Sequence, residues 1–154
     1  MSALPREGLS FRPMAAHDLA AVADLERSLY AFPWSLGNFR DSLEAGYDCH
    51  VAVDGERVVG YAILMIALDE AHLLNLAVAA GWQNRGIGSA FLDHMLGVAR
   101  GAGCQIVYLE VRPSNAAARH LYRRRGFQQI AIRPGYYPAV GGREDALFLG
   151  LTMR

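Results

Sequence analysis

The feature that most narrows the fold is a turn, Gln83-Asn84-Arg85-Gly86-Ile87-Gly88, set between two apolar stretches of different period. Upstream, Ala71–Val78 is apolar on both alternating faces, as expected of a strand buried near the middle of a sheet. Downstream, Ile87, Phe91, Met95 and Val98 recur at helical spacing, and Gly101 and Gly103 close a helix predicted over Gly86–Arg100. A strand that turns through glycines into a helix leaves the first N–H groups of that helix without intrahelical partners. The helix dipole favours negative charge at the same place. Glycine removes the Cβ atoms that would hold an anion away from the backbone. The pattern therefore calls for a layered α/β protein with a phosphate-binding turn.

The remaining segments extend this frame. Leu9–Arg12 reads as a first strand, and Leu19, Val22, Leu25 and Leu29 mark an amphipathic helix over about Ala15–Ser28, stopped by Pro33. Ser35 is a cap for a second helix with Phe39 and Leu43 turned inward. Asp54-Gly55 between His50–Val53 and Arg57–Ile66 is a hairpin signal. Gln105–Val111 is a strand, and Pro113-Ser114-Asn115 leads into a helix that ends at Arg125 before Gly126. Phe127–Ile132 and Asp145–Met153 are predicted as final strands around a Gly-Tyr-Tyr-Pro loop. The order β-α-α-β-β-β-α-β-α-β-β gives an α/β (α+β) fold. A mixed, mostly antiparallel sheet is flanked by helices in one domain over residues 1–154.

Charge narrows the partners. The 15 basic and 15 acidic residues cancel, which argues against nucleic acid as the main partner. Arg123, Arg124 and Arg125 form a basic run that reads as a solvated helix end suited to the dipole. Cys49 and Cys104 are too few and too far apart for a disulfide framework or zinc site, and each reads as a small buried hydrophobe. His50, His94 and His120 share no metal-ligand spacing, so no metal is expected. His72, inside an apolar strand, reads as a satisfied core or edge histidine rather than a base. Met1–Arg12 lacks an apolar leader, and no apolar run reaches the ~18 residues of a membrane span. A cytoplasmic monomer without a membrane partner is expected.

Three phosphate-binding turns compete for the glycine motif. A Walker A loop ends in Gly-Lys-Ser/Thr, which is absent here. A dinucleotide fingerprint needs a third glycine where Phe91 stands, although Glu110 follows Gly88 by about the 20 residues at which an acid would bind ribose. The third pattern, Q/R-x-x-G-x-G/A, is shared by GNAT acetyltransferases, and Gln83, Gly86 and Gly88 match it.

At this level of detail the chain resembles the RimI family of bacterial ribosomal-protein-alanine N-acetyltransferases. The resemblance is carried by Tyr30–Trp34 with Ser35, Glu70–Val78, Trp82–Gly88, Leu109–Asn115 running on to Tyr122, Gly126-Phe127, Gly135–Pro138 and Arg143–Ala146. It covers nearly the whole chain. It departs at Ala79-Ala80, where an acid-proline pair is usual, and at Asn84, where arginine is common.

The resemblance implies a GNAT fold with acetyl-CoA as cosubstrate. Leu76, Ala77 and Val78 would pair through their main chain with the pantetheine arm. Gln83, Asn84, Arg85, Gly86, Ile87, Gly88 and Ser89 would hold the pyrophosphate, and Asn115 would touch the cofactor. Glu110 matches the family's proton acceptor and Tyr122 its proton donor. The implied substrate is the N-terminal segment of a small-subunit ribosomal protein, beginning with alanine.

The residues are chemically suited to these roles. A protein α-amine has a pKa of about 7.7–8.0 against about 10.4 for lysine, so a carboxylate, directly or through water, suffices as its base. Glu110 ends its strand where parallel strands bind ligands; its plainer reading is a salt-bridged surface glutamate. Tyr122 lies on an inward stripe with Ala118 and Leu121; its plainer reading is a core tyrosine. The Val78 amide is the candidate oxyanion donor. Trp34, Tyr136, Tyr137 and Glu144 are candidates for a peptide groove. A GNAT acting on lysine, a polyamine or another small amine, a non-catalytic CoA-binding module and a cofactor-free interaction domain are the rival readings.

Overall fold

A computed structural model describes residues 8–153; residues 1–7, the first part of the Met1–Arg12 stretch read as lacking an apolar leader, and Arg154 lie outside the description. The strands are β1 (Leu9–Pro13), β2 (Asp48–Asp54), β3 (Arg57–Ala67), β4 (Glu70–Val78), β5 (Ile106–Val111), β6 (Gln128–Ala139) and β7 (Gly142–Thr152). The helices are α1 (Leu19–Leu29), α2 (Leu36–Glu44), α3 (Ile87–Gly101) and α4 (Ala116–Arg124). One seven-stranded sheet runs β1-β2-β3-β4-β5-β7-β6, and only β4 and β5 are parallel. This is the mixed, mostly antiparallel sheet expected, with β4 at its centre. None of the helices of the described residues is long and apolar enough to cross a membrane.

Alternation along the strands sorts the side chains into two cores. Ala52, Ala62, Leu64, Ala71, Leu73, Val107 and Leu109 face α3 and meet Ile87, Phe91 and Met95. Val51, Val53, Tyr61 and Ile63 face the other way and meet Val22 and Phe39 from α1 and α2. Glu110 and Tyr108 alternate with the buried Val107, Leu109 and Val111, so they leave the α3 core for the opposite face.

Four local expectations are corrected. The first helix forms later: Ala16–Asp18 is a single 3-10 turn, and Asp18 accepts from the Ala15 amide before α1 begins. The β2–β3 turn is Gly55-Glu56, because Asp54 still pairs with Arg57 and Gly55 takes the positive φ of 62°. The Gly-Tyr-Tyr-Pro segment belongs to β6 and is no loop. β6 bulges there between Arg133 and Tyr137, and Gly135 N–H donates to Asp145 Oδ1 at 2.9 Å while Arg143 donates to the Gly135 carbonyl at 2.7 Å. The basic run is also split: Arg123 and Arg124 are exposed, whereas Arg125 ties α4 to Asp93 of α3 at 2.7 Å.

One irregularity opens the sheet. Ile63 pairs with Asn75 and Leu64 with Leu73, so Leu74 is an extra residue in β4. β4 and β5 pair only at Glu70–Ile106, Ala71–Val107 and His72–Tyr108. Beyond His72 they part, and the β5-facing edge of Leu74–Val78 has no strand against it.

Candidate active site

The parting of β4 and β5 forms the floor of a cavity of about 830 Å³. Leu76, Glu110, Asn115, Tyr122, Trp34, Tyr137 and Glu144 all line it. With Tyr136, eight of the residues singled out in sequence, drawn from six separate segments, therefore meet in one place. Its walls are the chain after α1, the turn from β5 into α4, and the β6–β7 hairpin.

Glu110 is held from two sides. His72 Nε2 lies 2.6 Å from Oε1, and Arg133 Nε donates to Oε2 at 3.1 Å. Burial alone would raise the carboxyl's pKa. The hydrogen bond and charge of His72, followed by those of Arg133, more than offset it and keep Glu110 below the ordinary carboxylate range. Glu110 is thus ionised at neutral pH. His72 is a satisfied histidine, as expected, and its partner is the very carboxylate expected to act.

Tyr122 is buried, with its ring edge-on to Phe127 at 5.6 Å. Among the described residues no hydrogen bond is made by its hydroxyl. Burial raises its pKa, and Tyr30 and Tyr137 add to the effect. The phenol therefore stays protonated well past neutral pH and faces a cavity with its proton uncommitted.

The glycine turn follows β4 directly, beyond the cavity's lining residues. Ala79 N–H donates to the Val59 carbonyl on the β3 side at 2.8 Å. Main-chain groups alternate along a strand, so Val78 presents its N–H and C=O to the open side. Gln83 Nε2 takes that C=O at 2.9 Å, which folds the turn back on the strand end and leaves the Val78 N–H facing the gap. Asn84 (φ 62°) and Gly86 (φ 79°) are left-handed, and asparagine is the side chain that best tolerates that region after glycine. Arg85 lies over the Trp82 ring at 5.3 Å, while Ile87 is buried under α3.

A Cβ at Gly88 would lie 3.8 Å from Leu121 of α4, an ordinary contact distance. Ser89 sits half-buried in the first turn of α3. Asn115 caps α4, its Oδ1 accepting from Ala118 N–H at 3.1 Å. Ala77 points into the α1–α2 core and adds only main chain to the open edge.

The groove walls contain residues that the sequence reading missed. Glu26 is 3% exposed and accepts from Trp34 N–H (2.9 Å), Tyr61 Oη–H (2.6 Å) and Asn75 Nδ2 (3.2 Å). Its signal was available: it stands four residues after Val22, on the buried stripe of α1, where a carboxylate demands partners. Arg112 lies over Tyr137 at 4.4 Å and donates to Glu144 at 3.1 Å. Glu144 also accepts from Ser114 N–H at 2.9 Å, and these bonds hold its carboxyl below the ordinary range. Glu144 therefore braces the β5–α4 turn. Trp34 packs at 5.2 Å on Phe39, and Tyr136 stands edge-on to Tyr137 at 4.9 Å.

A sequence model of the Acetyltransferase (GNAT) family matches residues 19–127, from the start of α1 to the end of α4. The chain belongs to the GNAT acetyltransferase family. This acetyltransferase is 39% identical over 136 residues to the ribosomal protein bS18-alanine N-acetyltransferase of Escherichia coli, covering 88% of this chain and 92% of that one. The enzyme of the same name from Haemophilus influenzae is 34% identical over 135 residues, covering 87% and 92%. Among solved structures, the Escherichia coli ribosomal-protein-S18-alanine N-acetyltransferase superposes with a TM-score of 0.88 at 36% identity, covering 95% and 96%. A Salmonella typhimurium structure, yncA with its cofactor acetyl-CoA, shares the fold at a TM-score of 0.79 and 21% identity. The resemblance to the RimI family is borne out, and this acetyltransferase is an acyltransferase of that group.

Proposed function

We propose that this acetyltransferase moves the acetyl group of acetyl-CoA to the N-terminal α-amine of a protein, and that the target is a small-subunit ribosomal protein beginning with alanine. One observation carries the reading: Glu110 and Tyr122, an ionised carboxylate and a protonated phenol, line the same cavity at the open edge of β4. The named relatives support the target, since bS18-alanine N-acetyltransferases are among them at 39% identity.

Acetyl-CoA fits what the chain offers. The open edge of Leu76–Val78 provides main-chain groups for an extended amide-bearing arm. Within the turn from Gln83 to Ser89, the left-handed Asn84 and Gly86 and the amides of the first turn of α3, from Ile87 to Ser89, suit a pyrophosphate. Asn115 borders the same cavity from the α4 side. When bound, acetyl-CoA supplies an activated thioester.

The protein's own part follows. The substrate α-amine needs little deprotonation near neutral pH, with a pKa of about 7.7–8.0. Glu110 accepts that proton, either directly or through one water. Val78 N–H faces the gap and donates to the carbonyl oxygen as negative charge grows there. Tyr122 donates its proton toward the departing sulfur. Trp34, Tyr137 and Glu144 shape the wall along which the peptide enters, the last by bracing Arg112 and Ser114.

The test uses acetyl-CoA with two peptides, one beginning with free alanine and one N-blocked with an internal lysine. Mass spectrometry is expected to find the acetyl group on the alanine nitrogen alone. Transfer to the lysine would move the enzyme to another acceptor class. No transfer to either would overturn the reading in favour of a small-amine substrate or a CoA-binding module.

A further inference from the structure

A second titratable group stands directly behind Glu110. His72 is the last residue of β4 paired with β5 before the strands part, beside Tyr108, and Glu110 lies two residues further along β5. Their side chains meet on the sheet face away from α3, with His72 Nε2 2.6 Å from Glu110 Oε1. The two differ in access to water. Glu110 is 10% exposed and His72 is 24% exposed. The carboxylate is sealed except toward the cavity, and the imidazole can exchange protons with solvent.

A separation of 2.6 Å requires a proton between the two atoms, because two bare lone pairs would repel. That proton sits on Nε2 when the ring is neutral. A second proton, taken at Nδ1, makes the ring an imidazolium. The other charged or titratable groups facing the pair are Arg133, Tyr136 and Tyr137 from β6 and Tyr108 from β5; Phe148 of β7 closes the site without a charge. A guanidinium does not titrate near neutral pH. Burial holds the Tyr136 and Tyr137 hydroxyls above the ordinary phenol range. Histidine is the side-chain type in this group whose charge ordinarily changes between about pH 5 and 8.

We propose that His72 is a pH-dependent positioning residue for Glu110. With His72 neutral, its Nε2–H aims the carboxylate at the cavity and leaves it free to accept a proton. In that step an N–H bond of the substrate ammonium breaks, a carboxyl O–H bond forms, and the nitrogen lone pair is released for attack. With His72 protonated at Nδ1, the carboxylate is locked in an ion pair and its proton affinity falls. His72 thereby sets the lower pH limit of turnover. This rests on the reading of Glu110 as proton acceptor, made above.

The experiment measures kcat against pH from about 5.5 to 9 at saturating acetyl-CoA and alanine peptide. It compares the wild type with His72→Gln, which keeps a donor at the Nε2 position but cannot become charged, and with His72→Leu, which removes the donor. The imidazole titration is followed by NMR in the wild type. The wild-type acid limb is expected to contain an ionisation that coincides with that titration. His72→Gln should lower kcat about threefold at high pH and lose that ionisation, and His72→Leu should lower kcat about tenfold, with KM for acetyl-CoA unchanged in both. A His72→Gln acid limb identical to wild type, or an imidazole that titrates outside the limb, overturns the proposal. Glu110→Gln separates the two ideas. If it turns over normally, the reading of Glu110 fails whatever His72 does. If it is slow while His72→Gln keeps the wild-type limb, only the role of His72 falls.

Discussion

The Tyr61 hydroxyl donates to Glu26 Oε1 at 2.6 Å, joining two residues 35 positions apart in a buried bond between β3 and α1. The same carboxylate takes the backbone N–H of Trp34 and the side-chain amide of Asn75. One charged group thus fixes the end of α1, the chain that walls the cavity and the open part of β4.

Tyr61→Phe tests that junction. It removes one donor from a buried carboxylate and leaves the ring in place, which should cost about 1–3 kcal/mol of stability. Urea denaturation should show a lower midpoint with an unchanged slope. An unchanged midpoint would mean that the bond carries no net weight.

Gly86 and Gly88 should behave differently despite sharing a motif. Gly86→Val forces a β-branched side chain into a left-handed backbone at φ 79°, and should weaken acetyl-CoA binding at least about tenfold by calorimetry. Gly88→Ala places a methyl 3.8 Å from Leu121, an ordinary contact, and keeps the amide, so binding should stay near wild type. Equal losses in both would mean that the cradle also requires Gly88 to be free of a side chain.

Tyr122→Phe removes a hydroxyl that no described protein group uses while keeping the ring on Phe127. Turnover is expected to fall about a hundredfold with acetyl-CoA affinity intact. Wild-type turnover would reduce Tyr122 to packing.

His50 and His94 predict a pH dependence of stability. Their rings share a hydrogen bond of 3.1 Å between Nε2 of His94 and Nδ1 of His50, one donating and one accepting. Burial lowers the pKa of both, and for His50 the neighbouring His94 lowers it further. The unfolded chain therefore binds more protons than the folded one just below the ordinary histidine pKa of about 6.5. Stability is full above that value and is lost as pH falls through the window beneath it. Denaturation at pH 7.5 and at pH 5.5 should show the loss, and His94→Gln should shrink it. An equal loss in the variant would assign the pH dependence to other groups.

What could be read in the sequence was whatever local periodicity encodes. Ile87, Phe91 and Met95 spelled out the buried face of α3, and alternation in β5 put Glu110 opposite Leu109. The family resemblance pointed to Glu110, Asn115 and Tyr122, which line one cavity. That His72 is satisfied could be read, but not by which group, because its partner is set by the register of two parallel strands 38 residues apart, which no local pattern states. The Gly-Tyr-Tyr-Pro stretch looked like a loop because its bulge depends on Arg143 and Asp145 reaching across from β7. Glu144, chosen as a peptide contact, spends its oxygens on Ser114 and Arg112 for the same reason.

The extra residue at Leu74 has a consequence for how such an enzyme diversifies. Beyond it β4 no longer pairs with β5, and the surface that the proposed function gives to acetyl-CoA is polypeptide backbone, which every amino acid supplies alike. On that reading, replacements along Leu74–Val78 can accumulate without erasing the grip. The walls that the same reading gives to the peptide, after α1 and in the β6–β7 hairpin, are made of side chains and can change independently. A single inserted residue thus separates the part of the enzyme that must be inherited from the part that is free to drift.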